Sequence, residues 1–114
     1  MPEKDGRISS IDRLIHEPAR LAILSVLRSF ESADFLFLLR QTELTRGNLS
    51  SHLGKLEDAG VVEISKEFVG KTPRTVVRLT SSGRTALEAY RRHMEQVLGD
   101  LGQASPNGPG RTHP

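Results

Sequence analysis

The chain has 114 residues, which suits one domain with one modest core, and it is 36% apolar and 26% charged. A net charge of +2 permits an anionic partner without demanding one, and the absence of cysteine excludes disulfides, thiolate metal sites and cysteine nucleophiles. No apolar run is long enough to span a bilayer, and "MPEKDGRISS" lacks the apolar stretch of a signal peptide, so a cytoplasmic protein with no membrane contact is expected.

Residues 1–8 are polar and are expected to be flexible. Ser9 or Ser10 can cap a short helix over "IDRLIH". In "EPARLAILSVLRSF", Pro18 suits a first helical position, where its missing N–H costs nothing. Ala19, Ile23, Val26, Leu27 and Phe30 follow 3–4 spacing, and Leu21 and Leu24 widen the stripe, so this helix should lie at the centre of the core. "ESADFLFLLRQTEL" predicts a third helix capped by Ser32, with Asp34 in its first turn and Phe35, Leu38 and Leu39 on one side. With four Phe, one Tyr and no Trp in the whole chain, small aliphatics must build the core, and stacking on single-stranded bases is not favoured.

A break at Thr42–Leu44 leads to Thr45, a good N-cap for a helix over about 46–59. Leu49, Leu53 and Leu56 fall within about 60° of one another at ~100° per residue, and Gly60 is a typical stop. "VVEISKEFV" and "RTVVRLT" are β-branched runs separated by "GKTP", which predicts a hairpin over about 61–80 with Gly70 and Pro73 at the turn and a basic loop of Lys66, Lys71 and Arg74. Glu63 and Glu67 temper that charge. A last helix should span about 81–101, capped by Thr80. Residues 102–114, ending "QASPNGPGRTHP", are Pro/Gly-rich and expected to be disordered.

Two helices joined by a three-residue break have helix-turn-helix spacing, and the hairpin that follows would be a wing. A helix in the major groove needs small polar side chains for close approach and a few long ones to reach base edges. Gly47, Ser50, Ser51 and Gly54 supply closeness; Arg46, Asn48, His52 and Lys55 supply reach. The candidate duplex-DNA surface is therefore Thr45, Arg46, Gly47, Asn48, Ser50, Ser51, His52 and Lys55 on the helix, with Lys71, Thr72 and Arg74 on the wing. Two glycines in a solvent-facing helix cost roughly 1 kcal/mol each against Ala, which argues against a face kept only for solubility. Lys and Arg on a hairpin can also serve merely as edge protection. His52 lies near Leu56 at the edge of the core, so packing, phosphate contact and base reading all remain open for it.

Other chemistries lack their residues. His16, His52, His93 and His113 include no i,i+4 pair, and His93 with Glu95 or Asp100 is a weak metal site, so no metal or cofactor is expected. Ser50, His52 and Asp58 belong to one helix rather than to a converging triad, and no enzyme activity is expected. Leu87, Tyr90, Met94, Val97 and Leu101 repeat at 3-4-3-4 on the last helix, a seam for another helix. At roughly 30 Å that helix would overhang a small domain, which points to a homodimer; packing on its own domain is the alternative.

"LTRGNLSSHLGKLEDAGVVEISKEFVGKTPRTVVRLTSSGRTALEAY" resembles the winged-helix transcriptional regulators of the MarR/ArsR type. It is most similar to a compact subfamily marked by a Gly-Asn-Leu-Ser-x-His-Leu recognition helix, a Lys-x-Pro-Arg-Thr wing and Leu-Thr-x-x-Gly-Arg. Gly47, Asn48, Leu49, Ser50, His52 and Leu53 fit the first; Lys71, Pro73, Arg74 and Thr75 the second; Leu79, Thr80, Gly83 and Arg84 the third. "PARLAILSVL" also resembles the family, and the likeness covers roughly 11–98. It implies an α+β, mostly helical winged helix-turn-helix with a two-stranded antiparallel wing hairpin and a C-terminal dimerisation helix. It further implies a homodimer that binds DNA and mostly represses, with room for an unidentified small-molecule effector. Two positions depart from the pattern. Glu43 stands where the family often has Gly; a left-handed backbone there would cost roughly 1–2 kcal/mol, or the turn differs. Arg46 stands where relatives often carry an acid, so operator preference does not transfer. A winged helix that docks proteins without reading DNA is the alternative function.

Overall fold

The computed structural model of the chain describes residues 9–103. The first helix, α1 (Ser10–Ile15), starts at Ser9, whose hydroxyl accepts from the Asp12 amide at 3.0 Å. The second, α2 (Pro18–Ser29), has Pro18 at its first position and Glu17 as its cap, with the Glu17 carboxylate accepting from the Arg20 amide at 2.9 Å. That backbone hydrogen bond is the main reason the Glu17 carboxyl is held below its ordinary 4.5.

The next segment differs from the sequence expectation. Ala33–Asp34 form a short strand, β1, and α3 (Phe35–Thr42) is capped by Asp34, whose carboxylate accepts from the Phe37 amide at 2.7 Å. Ser32 caps nothing here. Asp34 fills the cap itself, one residue before the helix rather than inside its first turn, because its backbone is extended and paired to another strand.

After α3, Glu43 takes φ 60° and ψ 23° and its N–H returns to the Leu39 carbonyl at 3.0 Å. The left-handed position is therefore real, and a non-glycine residue occupies it. Thr45 then caps α4 (Arg46–Asp58), its Oγ1 accepting from the Asn48 amide at 3.1 Å. Gly60, at φ 77°, donates to Glu57, while Val61 donates to Leu56, both at 2.9 Å. This is a Schellman stop, with Leu56 and Val61 both buried beside it.

Strands β2 (Val62–Val69) and β3 (Thr72–Leu79) form the hairpin, and β1 adds to the other side of β3, so the antiparallel sheet has order β1-β3-β2. The third strand is an addition to the two-stranded wing expected from sequence: two residues carry too little pattern to be read as a strand. The turn is also tighter than "GKTP". Val69 pairs with Thr72, leaving only Gly70 and Lys71 as the loop. Gly70 has φ 64° and Lys71 no positive φ, the preference of a II′ hairpin turn. Pro73 lies within the strand, opposite Phe68. The last helix, α5 (Ser81–Gly102), is capped by Thr80, whose Oγ1 accepts from the Gly83 amide at 2.8 Å. Residues 102 and 103 thus end this helix instead of opening a disordered tail; the expectations for 1–8 and 104–114 lie outside the described residues.

The core is aliphatic, as the composition requires. Ile15, Ile23, Leu24, Leu27, Leu38, Leu49, Leu56 and Val77 are fully buried, and Tyr90 is the only aromatic residue among the buried ones. Val62, Ile64, Val77 and Leu79 share one face of the hairpin and join this cluster, so the sheet closes over the helices through that face.

Candidate nucleic-acid interface

Leu49, Leu53 and Leu56 point into the core and fix the rotation of α4 about its axis. The opposite side follows from 3.6-residue geometry: Gly47, Ser51, Gly54 and, in the last turn, Asp58 run down its middle, with Arg46 and Ser50 towards one flank and Asn48 and Lys55 on the other. Thr45, Arg46, Gly47, Asn48, Ser50, Ser51 and Lys55 are all exposed. A Cβ built on Gly47 or Gly54 would meet no atom within 4 Å, so nothing packed in this domain accounts for either glycine. Thr45 spends its hydroxyl on the cap.

His52 is half-buried, and its Nδ1 accepts from Arg20 Nε at 3.1 Å. The same guanidinium donates from Nη1 to the Leu14 carbonyl at 2.7 Å. Arg20 therefore ties α4 to the end of α1, and His52 is part of that brace with its Nδ1 already engaged. The long Arg–His separation in sequence gave no signal of it.

The wing separates into two chemically different faces. Glu63, Ser65, Glu67 and Val69 share a face with Thr72, Arg74, Val76 and Arg78. Its cations are paired: Arg74 with Asp34 at 3.5 Å and Arg78 with Glu67 at 3.0 Å. The other face continues the buried Val62 and half-buried Ile64 outward through Lys66 and Phe68, with Thr75 and Pro73 opposite, and carries no acid. Lys66 and Lys71 form no ion pair with another described residue. Lys71, Thr72 and Arg74 are thus all exposed, but Arg74 leans back to the sheet edge while Lys66 faces the helical side. Alternation from the buried Val62 is the signal that could have singled out Lys66.

On the far side, the five-residue stripe of α5 divides. Leu87 and Tyr90 lie in the domain core, Met94 packs partly against it, Val97 is half-buried, and Leu101 is 72% exposed. Tyr90 Oη lies 2.6 Å from His16 Nδ1, and His93 Nδ1 lies 2.9 Å from the buried Asp12 carboxylate, so α1 is fastened to α5 at two points. Burial first, and then the Asp12 charge, push the Tyr90 phenol above its ordinary 10.0. His93 meets Asp12 rather than Glu95 or Asp100. Among the described residues no group of three or more His, Asp or Glu side chains could hold a metal ion. Leu21, Leu87, Tyr90, Met94 and Leu98 line an apolar groove of about 520 Å3 between α2 and α5. Arg28, Glu88, Arg91 and Glu95 rim it, and Glu88 accepts from Arg28 at 2.6 Å and Arg91 at 3.0 Å, which hold its carboxyl below the ordinary 4.5.

Residues 19–98 match the family model described as a winged helix DNA-binding domain. The chain belongs to this winged-helix family. The winged-helix chain is 35% identical over 78 residues to the uncharacterized protein MJ0432 of Methanocaldococcus jannaschii, covering 68% of the chain and 85% of that relative. It superposes on a transcriptional regulator homologue from Pyrococcus horikoshii OT3 with a TM-score of 0.74 and 31% identity, covering 78% of the chain and 88% of that structure. A MarR-family regulator from Enterococcus faecalis V583 superposes at a TM-score of 0.71 and 20% identity, over 90% and 94% of the two chains, a likeness of fold. The helix-turn-helix and wing read from the sequence are the family's own, and the chain is a winged-helix protein of the transcriptional-regulator type. No helix among the described residues is long and apolar enough to cross a membrane.

Proposed function

We propose that this protein binds duplex DNA sequence-specifically as a homodimer and represses transcription from a palindromic operator. The observation that carries the reading is the outer face of α4: largely exposed, small along its centre until Asp58 in the last turn, and bearing two glycines that no contact in the domain requires. A helix that only needed solubility would gain roughly 1 kcal/mol at each position from Ala. A helix that must approach base edges keeps them small. Arg46 and Asn48 then have the reach for guanine and adenine, and the free amides of the first turn favour phosphate.

The dimer is proposed through α5. Leu98 and Leu101 are exposed beyond the part of the helix that the core covers, and the groove beside them is apolar. An isologous pairing of the two α5 helices would bury them and set two recognition helices about 34 Å apart.

Two variants of α4 test the DNA reading. Gly47→Ala should raise stability by about 1 kcal/mol in a melting experiment, because it relieves a propensity cost and meets no neighbour. Gly54→Leu should leave the fold intact, as judged by circular dichroism, and abolish binding to genomic fragments selected by the wild-type protein. Retained fragment binding by a folded Gly54→Leu variant would remove α4 from the interface and favour a protein-docking module.

A further inference from the structure

Phe68 is 70% exposed, next to the tip of a hairpin, in a chain whose other apolar side chains mostly close the core. Solvation alone does not favour a phenyl ring there. Its surroundings are specific. Phe68 stands directly opposite Pro73, one pair away from the Val69–Thr72 pair that closes the two-residue turn. The closing pair of such a turn is hydrogen-bonded, so Phe68–Pro73 is the non-bonded kind, in which side chains lie closer and proline sacrifices no ladder bond to β2. The ring and the pyrrolidine stand on the same face beside the wing tip and make an apolar ridge there.

The ridge lies on the acid-free face, with Lys66 two residues back on the same strand and Lys71 in the turn, neither of them in an ion pair with another described residue. That face continues the one that packs on the helices, and β2 is the strand in contact with α4. The acids of the wing, Glu63 and Glu67, are on the opposite face, where Arg74 and Arg78 are paired. An apolar ridge between unpaired cations complements a surface with an apolar floor between two rows of phosphate. The minor groove of duplex DNA has that chemistry, and side chains such as Phe and Pro can wedge between its base steps.

We propose that Phe68, backed by Pro73, is a minor-groove wedge: Lys66 and Lys71 hold the flanking phosphates while the ring presses between base pairs beside the site read by α4. The proposal rests on the DNA-binding reading above and adds to it a preference for flanks that open easily. Minor-groove access is impeded by the guanine amino group, and inosine lacks it, so alternating I·C duplex should be preferred to alternating G·C.

The test uses the full chain with alternating I·C and G·C duplexes of about 30 base pairs at low salt. Wild-type protein should favour I·C several-fold. Phe68→Ala should lose that preference and bind I·C roughly five- to tenfold more weakly, while Phe68→Leu retains most of it. Because the chain contains no Trp, Phe68→Trp supplies a single reporter whose emission should be quenched at saturation with duplex. Equal affinity of wild type and Phe68→Ala for both duplexes, with the indole emission of the Phe68→Trp variant unchanged on binding, would overturn the wedge and leave the α4 reading standing. No binding of either alternating duplex by wild type that still binds its selected genomic fragments would overturn the wedge alone, and no binding of any duplex would overturn both. A change in sedimentation of free Phe68→Ala, with duplex binding unaltered, would instead assign the ridge to a protein contact and overturn the wedge.

Discussion

Gly83 sits where four elements meet. The Val61 carbonyl accepts from the Thr80 amide at 3.1 Å, and Thr80 Oγ1 donates to the Gly60 carbonyl at 2.6 Å, with Ser82 Oγ reaching the same oxygen at 3.1 Å. The end of α4, the start of β2, the end of β3 and the start of α5 are laced together there. A Cβ on Gly83 would overlap the Val61 carbonyl oxygen, a backbone atom that cannot swing aside. Gly83→Ala should therefore cost about 1–3 kcal/mol, seen as a melting temperature several degrees lower. Glu43 poses the converse case. At φ 60° it bears a strain that glycine would not, and Glu43→Gly should raise the melting temperature. An unchanged or lower value would mean that the added unfolded-state freedom of glycine offsets the relieved strain. At Asn48, whose amide is engaged by the Thr45 cap while its side chain stays exposed, Asn48→Ala should relax preference at one base per half-site and cost about 1–3 kcal/mol. Equal losses on operator and random duplex would show that Asn48 does not read sequence.

At the scale of the element, the wing is a two-faced hairpin. One face holds Lys66, with Lys71 in the turn, neither paired with an acid among the described residues; the other holds Arg74 against Asp34 at 3.5 Å. A half-exposed pair of that length is weak, and DNA phosphate can compete for Arg74, but the competition subtracts from its contribution. Lys71→Ala should lower the slope of log affinity against log salt by about one per contact in each half-site, and Arg74→Ala by less. The reverse order would place the phosphate track on the Arg74 face. The helices follow a similar logic. Leu49, Leu53 and Leu56 set how α4 is turned, while the Arg20–His52 hydrogen bond and the Arg20–Leu14 one brace it against α1.

For the whole molecule, the question is what covers the end of α5. Leu87 and Tyr90 are committed to the domain core, so substituting them would unfold the monomer rather than test a dimer. Met94, at the boundary, would confound the two. Leu98 and Leu101, at 59% and 72% exposure, are the cleaner probes. Leu98→Glu with Leu101→Glu should leave the melting of the domain nearly unchanged. Light scattering should report a monomer, and affinity for a palindromic operator should fall sharply as the tether between half-sites is lost. A dimer that survives both charges would place the contact elsewhere, with α1 the next candidate.

The local signals were legible because they are short-range. Thr45, Thr80 and Pro18 mark helix starts by chemistry that acts over three or four residues, Gly60 marks a stop by its left-handed backbone, and the leucine spacing of α4 decides which face is left outward. What remained hidden depends on residues far apart in the chain. Ala33–Asp34 become a strand only because Val76–Val77 offer an edge, and that pairing moves the cap of α3 from Ser32 to Asp34. Arg74 reads as a free wing cation until the same strand brings Asp34 beside it. The hydrogen bond from Arg20 Nε to His52 Nδ1 joins residues 32 apart in the chain, and no local pattern announces it. Leu87 and Leu101 repeat on one helical stripe with equal weight, and only the reach of the core along α5 separates the buried residue from the exposed one. Periodicity reports which residues share a face; the extent of that face that the rest of the molecule covers is a tertiary property, set by how far the other elements extend.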